Sequence, residues 1–277
     1  MNSGETKLAG VMGWPVAHSK SPRLHGFWLQ RLNVDGAYLP LPVAPENLAD
    51  AIVGLPALGF SGANLTIPHK EAALTMCDQL DNTAGRIGAV NTIVIDEGGA
   101  LHGTNTDAFG FIENLRENSL WSASAGAAVL LGAGGAARAI AVALSDAGVP
   151  DIRIVNRTEE RARALIETTG ITNASFVSWD ERDQVLDGAA LVVNSTSLGM
   201  LGKPPLDLNL TALPTSAVVN DIVYTPLQTP LLAAAVARGN PIVDGLGMLL
   251  YQAVPGFEAW FGVRPEVTRE LREFVLA

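Results

Sequence analysis

The sequence predicts an α/β protein built from two α/β units in series, and two observations carry that expectation. Short β-type runs alternate with helix-type segments from residue 7 to residue 222, the rhythm of βαβ units and a mainly parallel sheet. A glycine-rich turn, Gly132-Ala133-Gly134-Gly135-Ala136-Ala137, sits directly between a buried strand pattern and a helix pattern, and that context lifts a glycine pattern above chance. The 277 residues accommodate two ordinary domains at roughly 100–200 residues each.

In order, residues 7–12 read as a strand, a helix follows Pro22, residues 37–41 form a strand, 46–55 a helix and 62–67 a strand. Residues 90–95 and 100–104 flank Asp96-Glu97-Gly98-Gly99, which reads as a hairpin turn, so an antiparallel pair is expected at the edge of the first sheet. A helix spans 107–118. The alternation then restarts with strands at 128–131, 152–155, 191–194 and 218–222 and helices at 135–147 and 159–168. Segments 246–254 and 265–276 are helical in pattern. No internal repeat or low-complexity tract is present.

Composition removes several function classes. At 48% apolar and 17% charged, the chain is neither disordered nor fibrous. Its net charge of −10, from 18 Lys+Arg against 28 Asp+Glu, repels nucleic-acid backbones and anionic lipid. Cys77 is the single cysteine, so no intrachain disulfide forms and no cysteine cluster ligates a metal. His18, His25, His69 and His102 lack metal-ligand spacing, and no metal is expected. The first residues lack the pattern of a secretory signal, and the longest apolar stretches, 125–137 and 231–237, fall short of the roughly 20 residues a bilayer span requires. The expectation is a cytoplasmic protein with no membrane partner.

The glycine turn has the form G-x-G-x-x-A. Gly132 permits the tight turn, Gly134 lets backbone N–H groups approach a pyrophosphate, and Ala137 allows close helix–strand packing. The helix N-terminus adds partial positive charge, so the second unit reads as a Rossmann-type, doubly wound parallel sheet. Its second strand ends in Asn156-Arg157-Thr158, where an acidic residue would bind the ribose 2′-hydroxyl of NAD. Arg157 instead offers a planar fork for a 2′-phosphate, and NADP is the expected cofactor.

His18-Ser19-Lys20-Ser21-Pro22, Asn64-Leu65-Thr66-Ile67-Pro68-His69-Lys70, Gly88-Ala89-Val90-Asn91-Thr92 and Asn105-Thr106-Asp107 follow one another along the first unit. The glycine turn, Asn156-Arg157-Thr158, Asn194-Ser195-Thr196-Ser197, Asp221-Ile222-Val223-Tyr224 and Asp244-Gly245-Leu246-Gly247-Met248 through Gln252 continue the series. Together these motifs resemble the shikimate dehydrogenase family over nearly the whole chain. Gly26, Ala108 and Leu65 depart from its commonest pattern, at positions with no proposed chemical role.

The resemblance implies reversible, NADP-dependent reduction of 3-dehydroshikimate to shikimate, on the route to chorismate and the aromatic amino acids. It implies a substrate domain of residues 1–106 and 244–277, an NADP domain of residues 107–243, and an active site in the cleft between them. It makes Lys70 the general acid and base, with Asp107 as its catalytic partner. Ser19, Ser21 and Tyr224 bind the substrate carboxylate, and Thr66, Asn91 and Gln252 bind ring hydroxyls. For NADP it assigns Gly132, Ala133, Gly134, Gly135, Ala136, Asn156, Arg157, Thr158, Thr196, Ser197, Met200, Ile222, Gly245 and Met248. Ser21 and Asp107 equally suit helix caps, and Met248 equally suits the core. The resemblance leaves room for a homodimer. A quinate/shikimate dehydrogenase with relaxed choice of substrate or cofactor is the nearest rival. An NADP-binding sensor is the rival from another class, which the Lys70 and Asp107 pair argues against.

Overall fold

The computed structural model describes residues 3–277, and the chain divides into two compact units. Unit 1 runs to Thr106 and resumes at Leu250–Ala277, while unit 2 is Asp107–Leu249. The resemblance implies a return at 244. Here it falls at Leu250, inside a continuous helix.

Unit 1 contains β1 (Lys7–Gly13), α1 (Ser21–Arg31), β2 (Gly36–Pro42), α2 (Leu48–Ala57), β3 (Phe60–Leu65), β4 (Gln79–Leu80), α3 (Asn82–Ile87), β5 (Thr92–Ile95) and β6 (Leu101–Thr104). The six strands form one sheet in the order β2-β1-β3-β5-β6-β4. β1 runs parallel to β2 and β3, and β5 runs antiparallel to β3 and β6. The expected hairpin therefore exists. Asp96 closes its turn by accepting from the N–H groups of Gly98 and Ala100, both at 2.9 Å. It does not form the edge, because the two-residue β4 pairs outside β6.

One face of this sheet packs Met12, Ala63, Leu65 and Ile93 against Ile52 and Leu55 of α2. The register puts Tyr38, Ala9 and Gly62 level on three neighbouring strands, so these three share the other face. Ala9 and Gly62 are small there for a reason. A Cβ on Gly62 would lie 2.3 Å from Trp260 Nε1, and that indole donates to Ile93 O at 2.9 Å. Trp28 and Trp260 are both almost fully buried, each gaining on the order of 2–3 kcal/mol from burial.

Unit 2 contains α4 (Asp107–Asn118), β7 (Ala127–Leu131), α5 (Gly135–Asp146), β8 (Ile152–Asn156), α6 (Glu159–Thr169), β9 (Ala174–Ser178), β10 (Ala189–Asn194), β11 (Val218–Asp221), α7 (Pro230–Arg238) and β12 (Ile242–Val243). Its sheet is fully parallel, in the order β12-β11-β10-β7-β8-β9. This is the doubly wound order, whose direction of growth reverses between β7 and β10. Residues 128–131 are completely buried, as a central parallel strand requires. α8 (Gly245–Phe261) starts in unit 2 and ends in unit 1, and α9 (Arg269–Leu276) closes the chain.

Three expected positions shift. α1 begins at Ser21 with Lys20 in the cap position, so Ser21 does not cap it. α4 begins at Asp107 itself, making that carboxylate the first helical residue rather than the cap. The last helix starts at Arg269 and not near 265, because the Thr268 hydroxyl accepts from Leu271 N and sets the start there.

Candidate active site

In unit 1 the functional side chains emerge where the central strands end. Lys70 lies in the turn after β3, half-buried, ahead of a short 3₁₀ segment, Ala72–Met76. That turn is pinned at several points. Thr66 N donates to Met12 O at 2.9 Å, Val90 N donates to Lys70 O at 2.8 Å, and the buried His69 ring meets Val43 O at 2.8 Å. The Lys70 backbone is thus fixed one residue away from Asn91.

Asn91 is buried and heavily bonded. Its Oδ1 accepts from Thr106 N at 2.8 Å and from Thr92 Oγ1 at 3.0 Å, while its Nδ2 donates to Thr106 Oγ1 at 3.1 Å. Asn64, buried at the end of β3, donates through Nδ2 to Asn91 O at 3.2 Å and to Thr92 Oγ1 at 3.0 Å. Its Oδ1 accepts from the Tyr38 hydroxyl at 2.5 Å. Ser21 is the other polar neighbour of that phenol, which burial holds well above its ordinary range. Ser19 lies beside Ser21, accepting at Oγ from Ser21 N at 3.3 Å. The structure therefore joins predicted Ser19, Ser21 and Asn91 through residues given no role by the sequence: Tyr38, Asn64 and Thr92. Thr66 and Gln252, both half-buried, belong to the same unit.

His25 and Cys77 stand outside this chemistry. His25 is fully buried, stacked on Tyr38 with ring centroids 3.9 Å apart, and neither ring nitrogen has a hydrogen-bond partner. Burial pushes its pKa down to about 3. Cys77 packs against the α2 side of the core, where burial raises its thiol to about 11, far from the range of a reactive thiolate.

In unit 2, Gly132 follows β7 with φ +106, a conformation that favours glycine. A Cβ there would meet Ser195 Oγ at 2.9 Å, so the turn after β7 and the loop after β10 face each other at the switch point. Gly134 is the N-cap residue of α5 with no side chain to cap it, and Ala137 is fully buried. A Cβ on Gly134 or Gly135 would meet no protein atom within 4 Å. Space for a diphosphate lies in front of amide donors at a helix N-terminus, so these residues fit the dinucleotide the motif implies. At the end of β8, Arg157 and Thr158 are exposed, and the Asn156 side chain donates to Thr158 O at 2.8 Å.

The loops after β10 and β11 are tied together by a buried carboxylate. Asp221 Oδ1 accepts from Asn194 Nδ2 at 2.9 Å and Val223 N at 3.0 Å, and Oδ2 accepts from the Thr229 hydroxyl at 2.7 Å. Burial is the chief influence on Asp221 and raises its pKa. Asn194 Oδ1 in turn accepts from Thr196 N and Oγ1, at 3.0 and 2.7 Å. Predicted Thr196 and Ile222 thus sit on one braced rim, with Ser197 and Met200 exposed beyond it. Gly245 joins them, since a Cβ there would lie 2.2 Å from Ile222 O. Met248 is buried. Asp107 and the half-buried Tyr224 also belong to unit 2, and burial raises the Tyr224 phenol. Asn194 and Asp221 had a visible signal, polar residues closing the apolar runs 191–193 and 218–219. Among the described residues no three His, Cys, Asp or Glu side chains gather as a metal set, and no helix is long and apolar enough to cross a membrane.

A doubly wound dinucleotide sheet joined to a second α/β unit with a buried amide and hydroxyl array defines a nicotinamide-dependent oxidoreductase of a polar substrate. Residues 11–93 match the family described as shikimate dehydrogenase substrate binding domain, 114–200 match shikimate/quinate 5-dehydrogenase, and 245–269 match the shikimate 5′-dehydrogenase C-terminal domain. A relative named shikimate dehydrogenase (NADP⁺) from Paramagnetospirillum magneticum is 62% identical over 99% of this chain and all of its own. Shikimate 5-dehydrogenase of Thermus thermophilus, solved with NADP(H) and shikimate, superposes with a TM-score of 0.87 at 38% identity, covering 98% of this chain and 99% of that one. Quinate dehydrogenase of Corynebacterium glutamicum, solved with NAD, superposes at 0.90 with 31% identity over 98% and 99%. The chain belongs to the shikimate dehydrogenase family.

Proposed function

We infer that the protein catalyses the reversible, NADP-dependent interconversion of 3-dehydroshikimate and shikimate. The observation that carries this reading is full-length identity of 62% to a relative named for that reaction, and the residues fit the chemistry. NADPH, when bound, supplies the hydride. The chain's own task is then to hold the ring and deliver a proton to the carbonyl oxygen, or remove one from the hydroxyl in reverse. Lys70 Nζ is assigned to that proton, on a turn whose backbone is pinned to Val90. Asp107 is assigned to hydrogen-bond the reacting hydroxyl. Ser19, Ser21 and Tyr224 take the carboxylate, and Thr66, Asn91 and Gln252 take ring hydroxyls. A site lined with such groups rejects analogues that lack a hydroxyl, because its buried donors would be left unpaired.

On the cofactor side, the amides around Gly132, Ala133, Gly134, Gly135 and Ala136 are assigned to the pyrophosphate, and Asn156, Arg157 and Thr158 to the 2′-phosphate end. Thr196, Ser197, Met200, Ile222, Gly245 and Met248 are assigned to the nicotinamide end. The exposed Arg157, standing where an acidic residue would select NAD, supports NADP. A cytoplasmic location suits an enzyme that draws on the NADP pool.

Steady-state oxidation of shikimate and of quinate, each with NADP⁺ and NAD⁺, tests the reading. Shikimate with NADP⁺ is expected to give the highest kcat/KM, and a preference for quinate with NAD⁺ would overturn it. Lys70→Ala should lower kcat by about 10²–10⁴-fold while leaving NADP⁺ binding, measured by fluorescence titration, unchanged.

A further inference from the structure

We propose that Tyr38 is a positioning residue of the substrate site: its hydroxyl anchors Asn64, and Asn64 with Thr92 sets the orientation in which Asn91 meets the substrate. The inference rests on the reading that Asn91 binds a ring hydroxyl.

Packing alone does not call for a tyrosine at this position. Tyr38 is buried on β2, stacked face to face on His25 at an interplanar angle of 7° and tilted against Trp260, and phenylalanine would make the same ring contacts. A buried hydroxyl is a cost unless it is bonded. Here it is bonded, at 2.5 Å, to Asn64 Oδ1. Because burial raises the phenol's pKa, it remains a donor throughout the working pH range.

The direction of each bond then follows. Asn64 Nδ2 donates to two acceptors, Asn91 O and Thr92 Oγ1, so the amide cannot flip without setting its oxygen against the Asn91 carbonyl. Its Oδ1 therefore needs an outside donor, and Tyr38 is that donor. Thr92 Oγ1, having accepted from Asn64, turns its single hydrogen to Asn91 Oδ1 at 3.0 Å. That oxygen also accepts from Thr106 N. With Oδ1 accepting from Thr92 Oγ1 and Thr106 N, and Nδ2 donating to Thr106 Oγ1, the Asn91 amide is held in a single orientation. Tyr38 thus bears on the orientation of the Asn91 amide through Asn64 and Thr92, while its other polar neighbour is Ser21, assigned to the carboxylate.

Tyr38→Phe removes the hydroxyl and keeps the ring. We expect KM for shikimate to rise about three- to tenfold, the worth of one neutral hydrogen bond, with kcat changed less than twofold and the NADP⁺ dissociation constant unmoved. A purely structural role would lower the active fraction, so a fall in kcat at unchanged KM overturns the proposal. In an Asn91→Ala background Tyr38→Phe should add nothing to KM, and additive effects overturn the relay. Should Tyr38→Phe fail to fold, Thr92→Val cuts the same relay downstream and must show the same KM rise. A readout that needs no substrate separates this inference from the functional reading. The Asn91 side-chain amide signal in ¹⁵N–¹H spectra, identified by its loss in Asn91→Asp, should shift in Tyr38→Phe. An unmoved signal overturns the proposal whatever substrate the enzyme proves to use.

Discussion

Both units end their central strands in a buried polar array, yet the two arrays are built from different chemistry. In unit 1 the linked side chains Tyr38, Asn64, Thr92, Asn91 and Thr106 are all neutral. In unit 2 the array centres on an acidic side chain, Asp221, with no exposed surface. A neutral array of amides and hydroxyls suits a polyol ring, because it can trade bonds with a ligand at little desolvation cost. A buried carboxylate with three donors is poorly suited to such exchange, since any donor it loses leaves charge uncompensated. It serves instead as a brace that holds Asn194, Val223 and Thr229, and with them the loops after β10 and β11.

The strongest test of this contrast is therefore at Asp221. Asp221→Ala orphans three donors at once and should cost about 3–5 kcal/mol in urea unfolding. Asp221→Asn keeps an acceptor for Asn194 and Val223 and removes a carboxyl that burial already disfavours as an anion, so it should cost much less. Equal losses in the two variants would mean that charge, and not bond count, sustains the rim.

A second test uses pH and belongs to unit 1. His25 is held neutral by burial, with its pKa lowered from 6.5 to about 3. The unfolded chain takes up the proton as pH falls below 6.5 and the folded chain does not, so stability is lost as pH falls from 6.5 toward 3. Between pH 7 and pH 5 this one group should account for about 2 kcal/mol. Unfolding of wild type and His25→Leu at the two pH values checks it: the variant's acid-induced loss should be smaller by that amount. An unchanged difference would show that the ring is hydrated or bonded in solution.

The two arrays also differ in how visible they are in the sequence. Unit 2 announces itself locally. The apolar run before Gly132, the glycine turn and the small residues of α5 are contiguous, and their physical reasons act within a few residues. Unit 1 binds its array across strands. Tyr38 meets Asn64 only because Ala9 pairs with both Tyr38 and Gly62, a register that no local pattern encodes. α7 carries its own punctuation, with Thr229 capping, Pro230 at the first position and Gly239 at φ +84, yet its apolar run registers in the sequence only as a stretch too short to span a bilayer. β4 and α3, of two and six residues, are too short for any periodicity to show. β9 is half-exposed on a sheet edge and lacks the apolar run that marked its neighbours.

The smallest expected stability effect is the most discriminating for unit 2. Gly134 has φ −93 and ψ −172, an extended conformation that alanine adopts without strain. A Cβ there would touch no protein atom, so Gly134→Ala should leave stability within about 0.5 kcal/mol of wild type. Protein packing therefore gives no reason for glycine at 134, and the proposed function supplies one, the close approach of the pyrophosphate to the backbone amides. The variant should weaken NADP⁺ binding by about tenfold, a loss of roughly 1.4 kcal/mol, read by titration at fixed salt. Gly132→Ala offers the converse. Its φ of +106 and the nearby Ser195 hydroxyl make it lose stability first, and affinity only as a consequence. If Gly134→Ala bound NADP⁺ as well as wild type, the diphosphate would have to sit elsewhere along the α5 N-terminus, and the glycine turn would be a device of folding alone.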